Sequence, residues 1–244
     1  MRRLAALLLC AGLLAGCAGS GGNPDGTWIN QPIIDAARQG GPLREALLAY
    51  GPVLEWRLDS QRNLATYSNG FEVPQGRLSA DEAGQLTVAY QGGLQEHLQL
   101  QGEQLIQQAS DQGPQQQFSR ATREFALGAP IGSHFEWALY EAYLGGKWLI
   151  REGQGQGGLV LFHPDGSLEG LPGADRYALC LAGDCASMAG ENDSLWLQFG
   201  EQGAPWIFQR EGDRLRILEA FNSAAPDQIP EYRPGRQAWL LQRD

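Results

Sequence analysis

Four short stretches of this chain recur once each, in the same order. Gly26-Thr27-Trp28-Ile29 is matched by Gly146-Lys147-Trp148-Leu149, and Leu86-Thr87-Val88-Ala89-Tyr90 by Leu195-Trp196-Leu197-Gln198-Phe199. The run from Leu98 to Ile106 is matched by the run from Phe208 to Ile217, with Gly102 over Gly212, and Gln117-Phe118-Ser119-Arg120 by the run Ala238 to Arg243. The offsets run from 109 (Leu86 to Leu195) to 121 (Gln117 to Ala238), as expected of two copies of one unit whose loops differ in length. Each match alone is weak; their common order favours a duplicated unit of roughly 100 residues that must build its core twice.

Both copies read as β-rich. Leu54 to Leu58 alternates apolar and polar side chains, the pattern of a strand with one buried face. Leu159–Phe162 is followed by His163-Pro164-Asp165-Gly166 and then Ser167–Gly170, a strand, a turn whose glycine takes the left-handed position, and a second strand. Hairpins are expected around Gly102-Glu103 and around Glu211-Gly212-Asp213. Two short helices interrupt the strands. Pro42–Tyr50 holds good helix formers and stops at Gly51-Pro52, with a shorter turn at Ile33–Arg38 before it. Ser133–Leu144 begins with an expected capping box, Ser133 and Glu136, ends at Gly145-Gly146, and carries Phe135, Leu139, Ala142 and Tyr143 as a packing stripe. The connection lies near Ala121–Gly132, so the units are expected at 27–121 and 133–244.

Each unit opens with Gly-x-Trp and closes with an aromatic residue followed by Arg. This is similar to lipocalin- and calycin-type barrels, in which a Trp on the first strand packs against a basic residue near the last. The resemblance implies Trp28 with Arg120 and Trp148 with Arg243. The expected fold is therefore mainly β: two tandem lipocalin-like antiparallel β-barrel or half-barrel units with two short helices. Two half-open barrels or one composite barrel would satisfy the same sequence.

The first residues carry an address. Arg2 and Arg3 precede an apolar run, Leu4–Leu14, of about 11 residues, where a spanning helix needs about 20, so 1–16 reads as a signal peptide. Leu14-Ala15-Gly16-Cys17 resembles the lipobox of bacterial lipoproteins. That resemblance implies cleavage before Cys17 and lipid on its sulfur and amine. Ala18 in place of Asp implies the outer membrane, facing the periplasm. Residues 17–26 then form a lipidated tether, rich in glycine, and two or more acyl chains hold such a protein stably on a bilayer.

The formal charge of -10 becomes about -12 once Arg2 and Arg3 are removed. Such a surface disfavours nucleic acid and anionic lipid and favours a cationic partner, if the partner is charged at all. Acidity that serves solubility alone is the plainer reading.

Catalytic motifs are sparse. HExxH, GxSxG and Walker patterns do not occur, and the residue three before Lys147 is Leu144, which excludes an SxxK pair. His97, His134 and His163 fall on different expected elements, with His134 in the first turn of its helix and His163 in an exposed turn. No cofactor, metal site or catalytic residue is assigned. The glycine-rich run Gly153–Gly158 precedes a strand instead of a helix and reads as a hairpin loop. Asp184, Glu191 and Asp193 read as a solvated acidic loop, not a catalytic pair. Most of the seven Trp are expected in the cores, with some free to line a barrel mouth, where such folds hold ligands.

Four cysteines remain to be placed. Cys10 leaves with the signal and Cys17 takes lipid, so Cys180 and Cys185 are the two thiols left in an oxidising compartment, where a disulfide across a hairpin turn at Leu181–Asp184 is expected. The leading functional expectation is a non-catalytic outer-membrane lipoprotein, a periplasmic binding or scaffold module whose ligand is an apolar small molecule, a glycan or a protein. The alternatives are an inhibitor or regulator of a cationic cell-wall hydrolase such as lysozyme, and a hydrolase with an unrecognised site.

Overall fold

Alternation of inward apolar and outward polar side chains closes the first half of the chain on itself. The computed structural model describes residues 22–126 and 128–244; the expected signal peptide, Cys17 and the first part of the tether lie outside them. The first unit runs β1 (Gly26–Ile29), α1 (Gln31–Arg38), α2 (Leu43–Tyr50), β2 (Glu55–Asp59), β3 (Leu64–Ser68), β4 (Gln75–Ala80), β5 (Gln85–Ala89), β6 (Gln95–Gln101), β7 (Gln104–Gln107) and β8 (Gln116–Arg120). Each strand pairs antiparallel with the next, and β8 returns to β1, so the sheet is a closed eight-stranded barrel. Trp28, Trp56, Leu58, Val88, Leu98 and Phe118 point inward from five of its strands and are almost completely buried. Each such Leu or Val contributes about 1.5–3 kcal/mol relative to exposure.

The second unit runs α3 (Ser133–Tyr143), β9 (Gly146–Gly153), β10 (Leu159–Phe162), β11 (Leu168–Glu169), β12 (Arg176–Leu179), α4 (Gly183–Ala189), β13 (Asp193–Phe199), β14 (Gln202–Glu211), β15 (Arg214–Asn222) and β16 (Tyr232–Arg243). Its strands follow the same cyclic order, with β16 beside β9, but the sheet is open between β11 and β12. A bridge between Ser167 and Arg176 spans that seam, with the Leu168 N–H donating to the Asp175 carbonyl (2.9 Å) and the Tyr177 N–H to the Gly166 carbonyl (2.8 Å). From α3, the Tyr140 hydroxyl accepts the Leu179 N–H of β12 at 2.9 Å, and its ring stacks on Tyr177 with centroids 5.0 Å apart. β11 is only two residues long, so it cannot pair along β12 as β3 pairs with β4.

The four recurring stretches fall on strands eight apart in chain order: β1 with β9, β5 with β13, the β6–β7 hairpin with β14–β15, and β8 with β16. The Trp and Arg residues meet as the resemblance implied. The Arg120 guanidinium lies 4.1 Å from the Trp28 ring centroid, and that of Arg243 lies 4.7 Å from Trp148.

The helices differ from expectation in number and in how they are held. There are four among the described residues, not two; the turn at Ile33–Arg38 is the full helix α1, and α4 occupies a stretch read as loop. The capping box at α3 does not form. Gly132 is the N-cap residue, with φ of 97° and no side-chain bond, and the free N–H groups of His134 and Phe135 donate to Glu55 on β2, both at 3.0 Å. Asp193 is not in a solvated loop. It begins β13 and accepts the N–H groups of Leu43 (2.7 Å) and Arg44 (2.6 Å) at the start of α2. Each unit thus caps a helix that belongs to the other. Ile33, Ile34 and Leu43 of the first unit share one core with Phe135, Trp148 and Leu215 of the second.

Candidate functional site

The interior of each barrel is filled by side chains, so space for a ligand lies at the ends. The loops after β2 and β4 and the end of β6 frame a cavity of about 550 Å³ at one mouth of the first barrel. Leu78, Leu86 and Leu100 give it an apolar lining, and Ser60, Asn63 and Gln99 give it polar groups. Gly22 and Pro24, the first described residues of the tether, form part of its wall. The alternation that turns Leu78 and Leu86 inward is what brings them to the mouth.

The opposite end of the same barrel is polar. The Trp56 indole N–H donates to Gln107 Oε1 at 3.1 Å, and Gln107 Nε2 donates to Glu96 Oε2 at 3.0 Å. Glu96 and Gln107 are buried. The rings of Tyr67 and Tyr90 meet edge to face at 6.1 Å beside this chain of bonds, and the buried Tyr90 hydroxyl has no partner among the described residues. Burial, with the nearby charge of Glu96, holds both phenols above the usual tyrosine range. These buried polar groups pack that end of the barrel.

The sequence-expected site residues are placed as follows. Cys17 lies outside the described residues. Cys180 and Cys185 form a disulfide, with Cα atoms 5.9 Å apart. The bond does not cross a hairpin. It ties the end of β12 to the first turn of α4, because Gly183 starts a helix where a hairpin turn was expected. The histidines keep separate company: His97 with Thr87, His134 with Glu55, and His163 with Glu169. His163 is half-buried, not freely exposed. Among the described residues no three His, Cys, Asp or Glu side chains gather as a metal site would require. Six of the seven Trp are buried or half-buried; Trp196 is exposed on the outer face of β13.

Two features were not legible locally. Glu55 reads as the polar half of an alternating strand, yet its side chain is fully buried against α3. Arg57, Arg120 and Arg123 converge on one cleft although they come from β2, β8 and the connection between units. No spacing rule links Arg57 to the other two. Family models, characterised proteins and solved structures were compared with this chain, and none matches.

Proposed function

We propose that this chain is a non-catalytic lipid-anchored binding module of a bacterial outer membrane, tethered through Cys17 and facing the periplasm, with the mouth of the first barrel as its ligand site. The observation that carries the reading is the 550 Å³ cavity there, which joins an apolar lining to polar groups and sits beside the tether. Five residues separate Cys17 from Gly22, a reach of at most about 18 Å, so the anchor would hold this mouth close to the bilayer. An amphiphile, with an apolar body against Leu78, Leu86 and Leu100 and a polar end toward Ser60 and Asn63, suits such a lining.

Native mass spectrometry of the full chain extracted in detergent tests this. The expected spectrum shows acylation at Cys17 and an additional non-covalent mass, which Leu100→Arg removes by filling the mouth. A chain with no bound mass, or one whose bound mass survives Leu100→Arg, overturns the ligand site; an unmodified Cys17 overturns the anchor.

A second reading rests on the formal charge of -10. An inhibitor of a cationic wall hydrolase would retain lysozyme at low ionic strength and release it at high salt.

A further inference from the structure

A second cavity, of about 590 Å³, lies outside the first barrel, between its wall, the connection after β8 and the start of α3. Three guanidinium groups line it: Arg57, Arg120 and Arg123. Glu124 is the one carboxylate in the lining, so the cleft is cationic in a chain whose formal charge is -10. Among the described residues, Arg120 and Arg123 have no carboxylate within ion-pair distance, and Arg57 has only Glu55, at 3.8 Å.

The three groups are held in position by contacts that leave their charge in place. Arg57 donates to the Ala129 carbonyl at 3.3 Å. Arg120 donates to the carbonyls of Asn23 and Asp25 and lies over Trp28. The Arg123 guanidinium carbon lies over the Trp137 ring, 3.8 Å from its centroid, and the side chain makes no hydrogen bond among the described residues. Its N–H groups are therefore available, and the planar guanidinium fork matches the oxygens of phosphate. His134, which also lines the cleft, turns its Nδ1 toward Glu55 Oε1, 3.5 Å away, and so is engaged by that buried carboxylate.

We propose that this cleft is a binding site for a phosphate group, held by Arg57, Arg120 and Arg123. A carboxylate spans one guanidinium fork. A tetrahedral phosphate presents oxygens in several directions and so addresses all three. Either a free phosphate or the phosphodiester of a lipid headgroup supplies this chemistry. Gly26 lines the cleft nine residues after Cys17, within about 30 Å along the chain, so a headgroup is in reach if the anchor is present, while the free ion needs no anchor.

Calorimetric titration of the full chain in detergent, at low salt, tests the site with two probes: inorganic phosphate and glycerophosphoglycerol, the deacylated headgroup of phosphatidylglycerol. Saturable binding of at least one probe is expected, weakened about tenfold by Arg123→Ala. Arg236→Ala, which removes a guanidinium paired with Glu219 elsewhere, should leave binding unchanged. Tighter binding of inorganic phosphate assigns the free ion, tighter binding of the diester assigns the headgroup, and equal binding supports a site that accepts both. Arg123 is exposed and belongs to neither core, so an unchanged thermal midpoint is expected of its variant. Absence of saturable binding to both probes, or binding that Arg123→Ala leaves intact, overturns the proposal.

Discussion

The carboxylate of Glu55, on the outer face of β2, accepts the backbone N–H of Phe135 at 3.0 Å across a sequence separation of 80 residues. The same oxygen accepts the His134 N–H, so one side chain from the first barrel satisfies two free donors of the helix that opens the second unit. At the other end of α3, the Tyr143 carbonyl accepts hydrogen bonds from Arg210 and Arg243. A carboxylate at the N-terminus and two guanidinium groups at the C-terminus both oppose the helix dipole correctly.

Glu55→Ala should therefore loosen the second unit from within the first. The expected cost is about 2 kcal/mol in urea unfolding, with Glu55→Gln losing less because it keeps one acceptor oxygen. The added contact is the shared core of α1, α2 and the second barrel. Unfolding followed by Trp fluorescence and by far-ultraviolet circular dichroism should give one coincident transition in the unmutated chain. Two separated transitions would show that the units do not depend on these contacts.

The two Trp–Arg pairs are equivalent in position but not in surroundings. Arg120 lies at an exposed end and its hydrogen bonds run to tether carbonyls, whereas Arg243 is half-buried and shares the Tyr143 carbonyl with Arg210. Burial, with the charge of Arg243 beside it, pulls the Arg210 guanidinium down to about 10, still charged at neutral pH. Arg243→Ala should cost about 2 kcal/mol and Arg120→Ala about 1 kcal/mol. Equal costs by denaturant unfolding would contradict this ranking.

The Cys180–Cys185 bond closes a loop of few residues, and the chain-entropy relation assigns it about 2 kcal/mol. Cys185 is exposed, so mild reductant should reach the bond in the folded protein. Alkylation should label neither of these two cysteines before reduction and both after it, with the fold retained. Collapse of the β-sheet signal on reduction would give the bond a larger role than a local staple.

Burial raises the phenol pKa of five of the seven tyrosines: Tyr67, Tyr90, Tyr140, Tyr143 and Tyr177. Their unfolded value is about 10, so the stability they contribute is complete below about pH 10 and is lost as pH rises above it toward the folded values. Ultraviolet titration should show fewer than half of the phenols ionising while the β signal is intact, with the remainder appearing as the chain unfolds. Free ionisation of all seven near pH 10 in the folded chain would contradict the packing of Tyr140 and Tyr177 in the seam.

The sequence by itself indicated a β-rich chain of two like units and several of its strands and hairpin turns, because alternation, Gly at turn positions and the recurring Gly-x-Trp are local signals that depend on a few neighbouring residues; the hairpin turn it placed at Leu181–Asp184 is instead the start of α4. It also singled out Trp28 with Arg120, Trp148 with Arg243, and Cys180 with Cys185. Only the tertiary structure decided that the first barrel closes while the strand ladder of the second is interrupted between β11 and β12, where β11 is only two residues long. It alone turned Glu55 and Asp193 from exposed-looking acids into caps for helices of the other unit. It alone brought Arg57 to the same cleft as Arg120 and Arg123. Such partners lie tens to more than a hundred residues apart, and charge type at one position contains no information about which distant backbone group will need it.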